Sequence, residues 1–265
     1  MKTIVITGGT DGIGRALART YLDRGDTVVI VGRNAAKADE RAVFVQADLS
    51  LLGETRKAVQ ELEARFPVID ALILCARHFR SRRYETAEDI EENFALFYLS
   101  RYLLCHGLAA RLEASERPVI MNVAGPGADL SLVHWNDLEF TEDYNGVSAM
   151  FQGGKLNDLL GESYAESHPR VSYVLFHPGM TATGLSGDYD AADAAHMLSM
   201  KKFGKSVAQS IAPIVPLIDT PPTEALTAFI EGRRITLPDD KAAAARLDDL
   251  TRKYLPPAAQ NHAAI

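Results

Sequence analysis

Thr7, Gly8, Gly12 and Gly14 fall within one short segment, Thr-Gly-Gly-Thr-Asp-Gly-Ile-Gly, between an apolar run at residues 3–7 and a helical pattern that opens at Arg15. Glycines let a backbone turn sharply and approach a ligand closely, while the start of a helix offers free N–H groups and a positive dipole end. That combination suits pyrophosphate, and it uses more glycines than a tight turn alone requires. A second apolar run ends in Gly32-Arg33, at the place where an NAD site carries a carboxylate for the ribose 2′-hydroxyl. Arg33 instead offers a charge-assisted fork to a 2′-phosphate, and Arg15 is a second candidate for the same group. These residues point to NADP(H) in preference to NAD(H).

The glycine spacing departs from the GxGxxG fingerprint and resembles the TGxxxGxG turn of the short-chain dehydrogenase/reductase family. The resemblance covers roughly residues 2–185. It implies that Gly8, Gly12 and Gly14 line the cofactor diphosphate after Thr7, and that Ile13 supports the nicotinamide end. It also places Asp48 and Leu49 against the adenine, although Asp48 equally reads as a cap for the helix that follows. After the fourth strand, Leu74-Cys75-Ala76-Arg77 stands where most relatives carry Asn-Asn-Ala-Gly, so Ala76 alone matches. Pro178, Gly179, Thr181 and Thr183 fit the PGxxxT turn that contacts the carboxamide and diphosphate. Residues 135–140, Tyr144-Asn145-Gly146 and Lys155-Leu156-Asn157 look like the retinol-dehydrogenase-like branch.

Carbonyl reduction beside a nicotinamide needs a hydroxyl to polarise the carbonyl, an acid to supply the proton and a cation to tune that acid. The family uses Ser, Tyr and Lys, the last two spaced YxxxK on one helix face. Here the matching segment is Phe151-Gln152-Gly153-Gly154-Lys155, the serine position is Gly125, and the supporting Asn of the middle helix aligns near Phe97. Lys155 alone is kept, with the expectation that it also holds the nicotinamide ribose. Tyr144 and His78 are the expected catalytic substitutes. His134, Asp137, Tyr189 and His177 are read as structural, His177 as a strand-end residue satisfied by backbone.

Short β-branched runs that alternate with helical patterns must position these residues. The runs at residues 3–7, 27–31, 43–46, 71–74, 119–123 and 171–176 are separated by helical patterns at 15–24, 50–65, 87–114 and 149–166. Strands this apolar imply a parallel sheet covered on both faces, hence an α/β fold of the Rossmann-type, doubly wound class. The alternation stops over residues 180–236, which are expected to form a lid-like insertion over the substrate. Residues 239–254 read as a final exposed helix and the rest of 239–265 as a frayed tail. Residues 1–265 thus form one NAD(P)-binding domain.

The 28 Lys and Arg against 35 Asp and Glu give a net charge of -7, which argues against nucleic acid and anionic membrane surfaces as partners. Two cysteines support neither a disulfide framework nor a four-ligand zinc site, so no metal is expected. No run approaches the roughly 18 apolar residues of a spanning helix, and no export signal is recognised, so a cytoplasmic protein is expected. The resemblance further suggests a homodimer or homotetramer through the helices at 87–114 and 149–166. The leading functional reading is an NADP(H)-dependent oxidoreductase for a small-molecule carbonyl or alcohol, with an atypical proton donor. Its alternatives are a non-redox biosynthetic enzyme on the same scaffold, such as a cyclase, isomerase or dehydratase, and a silent nucleotide-binding protein.

Overall fold

The computed structural model describes residues 1–183 and 187–255, with only the backbone of Met200. Gly184, which the lid reading includes, and the expected tail at 256–265 lie outside the described residues. Strand β1 (Thr3–Thr7) leads into helix α1 (Gly12–Asp23), followed by β2 (Thr27–Gly32), β3 (Val43–Gln46), α2 (Leu52–Arg65) and β4 (Ala71–Leu74). A two-residue strand β5 (Phe79–Arg80) precedes α3 (Glu92–Phe94), a π turn at Ala95–Leu99, α4 (Ser100–Gly107) and α5 (Ala109–Glu113). Next come β6 (Val119–Val123), α6 (Gly146–Ser167), β7 (Ser172–His177), β8 (Gly187–Asp188), α7 (Ala191–Phe203), α8 (Val207–Ile211) and α9 (Ile214–Asp219). The strands β9 (Leu226–Ile230) and β10 (Arg233–Ile235) and helix α10 (Lys241–Tyr254) complete the described chain.

The main sheet has eight strands in the order β10-β9-β7-β6-β4-β1-β2-β3. Every neighbouring pair is parallel except the β9–β10 hairpin. Strand order reverses beside β1, which opens a crevice at the carboxyl ends of the strands. Side chains alternate between two cores. Ile4, Ile6, Ile30, Ile73 and Phe176 pack against Leu17 and Tyr21 of α1 and Ile214 and Ile218 of α9. Val5, Val31, Leu72, Ile120 and Leu175 meet α2, α4, α6 and α10 on the other face. The near-continuous apolar strands follow from this double coverage.

Three expectations are corrected. The helix expected at 87–114 starts at Glu92, because Glu91 accepts from the N–H groups of Asn93 and Phe94 and Asp89 adopts a positive φ of 56°. It then breaks around Leu108, where Gly107 sits so close to Val59 that a Cβ would lie 2.6 Å from Cγ1. The 180–236 stretch is not a single insertion. Its end supplies β9 and β10 to the main sheet, joined by a turn at Glu231 (φ 53°) and Gly232 (φ 82°), and α9 packs into the core. Only its first part stands apart: β8 pairs with β5, Phe79 stacks on Tyr189 at 5.2 Å, and Asp190 N donates to Ser81 at 3.0 Å.

Helix α10 buries Ala244, Leu247 and Thr251 instead of lying exposed. Thr251 Oγ1 lies 2.7 Å from Tyr98 Oη, and Tyr102 Oη donates to Asp248 at 2.6 Å. Through these contacts helix α10 packs on Tyr98 and Tyr102, within one of the two stretches expected to carry self-association.

Candidate functional site

The turn from β1 to α1 is dictated by close backbone approaches. Gly8 (φ 69°) and Gly12 (φ 51°) occupy the left-handed region, where side chains are disfavoured. A Cβ on Gly8 would lie 2.9 Å from the backbone of Ala76, and one on Gly14 would lie 2.4 Å from Gly8 O. Asp11 caps α1 by accepting from Gly12 N at 2.7 Å. Thr7 Oγ1 accepts from the N–H groups of Cys75 and Ala76 at 3.2 Å each, locking the end of β4 beside the turn. Ile13 packs against the α1-side core. Across the crevice, a Cβ on Gly12 would meet Thr183 Cγ2 at 3.1 Å, so the 178–183 turn faces the glycine turn.

Arg33 projects from the end of β2 with its side chain 60% exposed, and its Nη1 lies 3.7 Å from Asp48 Oδ2. Arg15 is also exposed. Asp48 closes its own turn, with Oδ1 accepting from Ser50 N at 3.0 Å and Ser50 Oγ at 2.7 Å. It does not cap α2; the first N–H groups of that helix, on Leu52 and Gly53, donate to Glu88. Leu49 is buried beside it. The glycine turn forms a backbone cradle with an exposed guanidinium at one end, which fits a nicotinamide dinucleotide.

The other half of the crevice departs from the sequence reading. Lys155 is 1% exposed, and its Nζ donates to Asp240 Oδ2 at 2.6 Å, with Asp158 at 4.0 Å. The ammonium is enclosed by acidic groups, so holding ribose hydroxyls would require breaking this pair. Burial pushes the Asp158 carboxyl up to about 7, and of the two carboxyl groups that of Asp240 lies nearer to Lys155 Nζ. One turn earlier on α6, Phe151 is 51% exposed.

Tyr144 is a pin rather than an acid: its Oη donates to Arg80 O at 3.4 Å, and burial together with Glu91 raises its pKa. His78 lies next to β5, and burial holds its imidazole below the ordinary histidine range, with Glu92 opposing. His134 packs on Phe140 at 4.5 Å, and Asp137 accepts from Thr141 N at 2.9 Å.

Two residues that shape the site, Arg101 and Asp240, escaped sequence reasoning. Arg101 is 2% exposed, donates to Asn122 Oδ1, to Val123 O at 3.1 Å and to Ala76 O at 3.1 Å, and lies 4.3 Å over the Phe97 ring. It clips the ends of β4 and β6 together, and burial pushes its guanidinium down to about 10. Its signal was an arginine inside an apolar helix. Asp240, the partner of Lys155, gave none. His177 is, as expected, a strand-end residue satisfied by backbone, its Nδ1 accepting from Gly179 N at 3.0 Å, and a Cβ on Gly125 would lie 3.7 Å from its Cδ2.

A family profile described as short chain dehydrogenase matches residues 2–136. An uncharacterized oxidoreductase of Saccharomyces cerevisiae is 37% identical over 199 residues, covering 72% of this chain and 64% of its own. Retinol dehydrogenase 14 of Mus musculus is 27% identical over 208 residues, covering 69% of this chain and 62% of its own. The chain thus spans less than two thirds of these relatives. Among solved structures, the 3-alpha-hydroxysteroid dehydrogenase from Pseudomonas sp. B-0831 complexed with NADH superposes with a TM-score of 0.69 at 20% identity, covering 88% of this chain and 96% of that one. The NADPH-bound carbonyl reductase from chicken fatty liver gives a TM-score of 0.64 at 17% identity, covering 89% and 99%. At these identities the superpositions show the fold alone.

Proposed function

Because the chain belongs to the short-chain dehydrogenase/reductase family, we propose that it is an oxidoreductase that couples NADP(H) to a small-molecule carbonyl or alcohol without a tyrosine acid. The observation that carries this is the backbone collision at Gly8 and Gly14, which makes the first turn a cradle that only glycine can build. When bound, the cofactor supplies or accepts the hydride.

The chain's own residues do the rest. N–H groups at the start of α1 hold the diphosphate, and Arg33, with Arg15, binds the 2′-phosphate in exchange for the exposed Asp48 contact. Asp48 and Leu49 border the adenine. Pro178, Gly179, Thr181 and Thr183 hold the carboxamide end, and Ala76 leaves room beside it. The segment at 187–203 serves as the lid. Lys155 acts as a structural cation. Cys75 and Cys105 are free thiols, in keeping with a cytoplasmic enzyme. Among the described residues no helix is long and apolar enough to cross a membrane. The chain is proposed to act as a dimer or tetramer.

The Lys155–Asp240 pair favours a second reading, a non-redox enzyme on this scaffold, because it withdraws the last member of the reductase set. Substrate turnover with no change in NADPH absorbance would identify it. The cofactor assignment is tested by titrating wild type and Arg33→Ala with NADPH and NADH. Loss of one charge-assisted fork should weaken NADPH binding by tenfold or more, on the order of 1.5–3 kcal/mol, and leave NADH nearly unchanged. Equal loss for both would overturn it.

A further inference from the structure

Gly125 provides no hydroxyl where carbonyl polarisation is needed, but the volume beside it is not empty of polar groups. The edge of the His177 ring, at Cδ2 and hence next to Nε2, lies 3.7 Å from where a Gly125 Cβ would be. His177 Nδ1 accepts from Gly179 N at 3.0 Å, which assigns the ring hydrogen of the neutral imidazole to Nε2. The ring stands on the last residue of β7, and His177 O accepts from Glu231 N at 2.8 Å. The following turn is clamped as well: Lys205 N donates to Met180 O at 2.9 Å, Lys205 Nζ pairs with Glu231 at 3.0 Å, and Thr181 Oγ1 meets Ser210 Oγ at 2.8 Å. A donor fixed on a sheet end in this way is preorganised, as electrostatic catalysis requires.

We propose that His177 Nε2–H donates the hydrogen bond that polarises the substrate carbonyl oxygen, in place of the hydroxyl that Gly125 lacks. This rests on the oxidoreductase reading above. In the reduction direction the carbonyl carbon receives a hydride from the reduced nicotinamide, which leaves oxidised, and the C=O π pair moves to oxygen. That oxygen then takes a proton from water, releasing hydroxide to the buffer, while His177 keeps its own hydrogen. Burial, with Arg77 adding to it and Glu231 opposing, holds the imidazole below the ordinary histidine range, so the neutral donor form prevails near pH 7. A neutral imidazole acting as electrophile has a precedent in triosephosphate isomerase. The alternatives are otherwise engaged: Tyr144 is pinned on Arg80 O, and Lys155 is enclosed with Asp240.

The test uses 4-nitrobenzaldehyde with NADPH as turnover probe and nitrogen-15 ring-labelled histidine NMR as a second readout. In the wild-type protein without cofactor, the His177 signals should show Nε2 protonated and Nδ1 bare. Adding 4-nitrobenzyl alcohol and NADP should then move the Nε2 signal. In His177→Asn the amide oxygen can still accept from Gly179 N. That variant should lose about 100-fold in kcat, as removal of an oxyanion donor does, with NADPH affinity and KM within about twofold. Adding Gly125→Ser to it should recover about tenfold, since it returns a hydroxyl at a position where a Cβ meets nothing closer than 3.7 Å in the wild type. Unchanged kcat in His177→Asn, a protonated Nδ1 or an unmoved Nε2 signal would overturn the role of His177 and leave the oxidoreductase reading standing. NADPH-saturated wild type that fails to reduce the aldehyde would overturn both.

Discussion

The glycine turn ahead of α1 and the face of α6 around Lys155 belong to one crevice and are built on opposite principles. In the turn the recognition surface is main chain, and the collisions awaiting a Cβ are with backbone: 2.4 Å to Gly8 O from Gly14 and 2.9 Å to Ala76 from Gly8. Around α6 the chemistry depended on side chains, and these have changed singly while the helix stayed: Phe151 without a phenol, Gly125 without a hydroxyl, Lys155 turned onto Asp240. A site written in backbone resists substitution because any change moves the fold. One written in side chains can be emptied while the helix that carried them stays.

Gly14→Ala attacks the rigid side of this contrast and should have the largest effect. NADPH affinity is expected to fall on the order of 100-fold and stability by about 2–3 kcal/mol, read by calorimetric titration and denaturant unfolding. Tight binding in that variant would show that the turn tolerates a side chain and erase the distinction.

Asp240→Asn probes the other side. It leaves the buried Lys155 ammonium with only Asp158, 4.0 Å away, and should cost about 2 kcal/mol of stability, most of it restored by adding Lys155→Met, while NADPH affinity stays unchanged. A large loss of NADPH binding would return Lys155 to the cofactor site.

Asp158→Asn should show a smaller, pH-dependent effect. The Asp158 carboxyl titrates at about 7 in the fold against an ordinary 3.8, so its stabilising contribution is complete in acid and is lost as pH rises through 7. Relative to the variant, wild type should lose stability steadily from pH 5 to about pH 7 and level off above it. Parallel curves across that range would place the charge elsewhere. Phe151→Tyr should do least, changing carbonyl turnover less than about twofold, because the lysine that would tune a phenol is bound to Asp240.

The same division explains what the sequence disclosed. Strands β1, β3, β4 and β6 were legible to the residue, because buried parallel strands are continuous apolar runs bounded by polar turns. The glycine turn was legible because its code is consecutive. Strand β9 was missed because Leu226–Ile230 follows Pro221-Pro222, and only the short helices α8 and α9, broken by Pro213 and Pro216, precede it. The burial of α10 was missed because its inward face carries only Ala244, Leu247 and Thr251. Lys155 was misplaced because its partner lies 85 residues away. His177 was read correctly as a strand-end residue, but its nearness to Gly125 was not legible because it exists only once β6 and β7 are paired.

The most direct measurement is isothermal calorimetry of the unmodified protein with NADPH and with NADH. Saturable one-site binding of NADPH, tighter than that of NADH, is the expected result; no heat from either at millimolar nucleotide would contradict the dinucleotide cradle on which the rest stands.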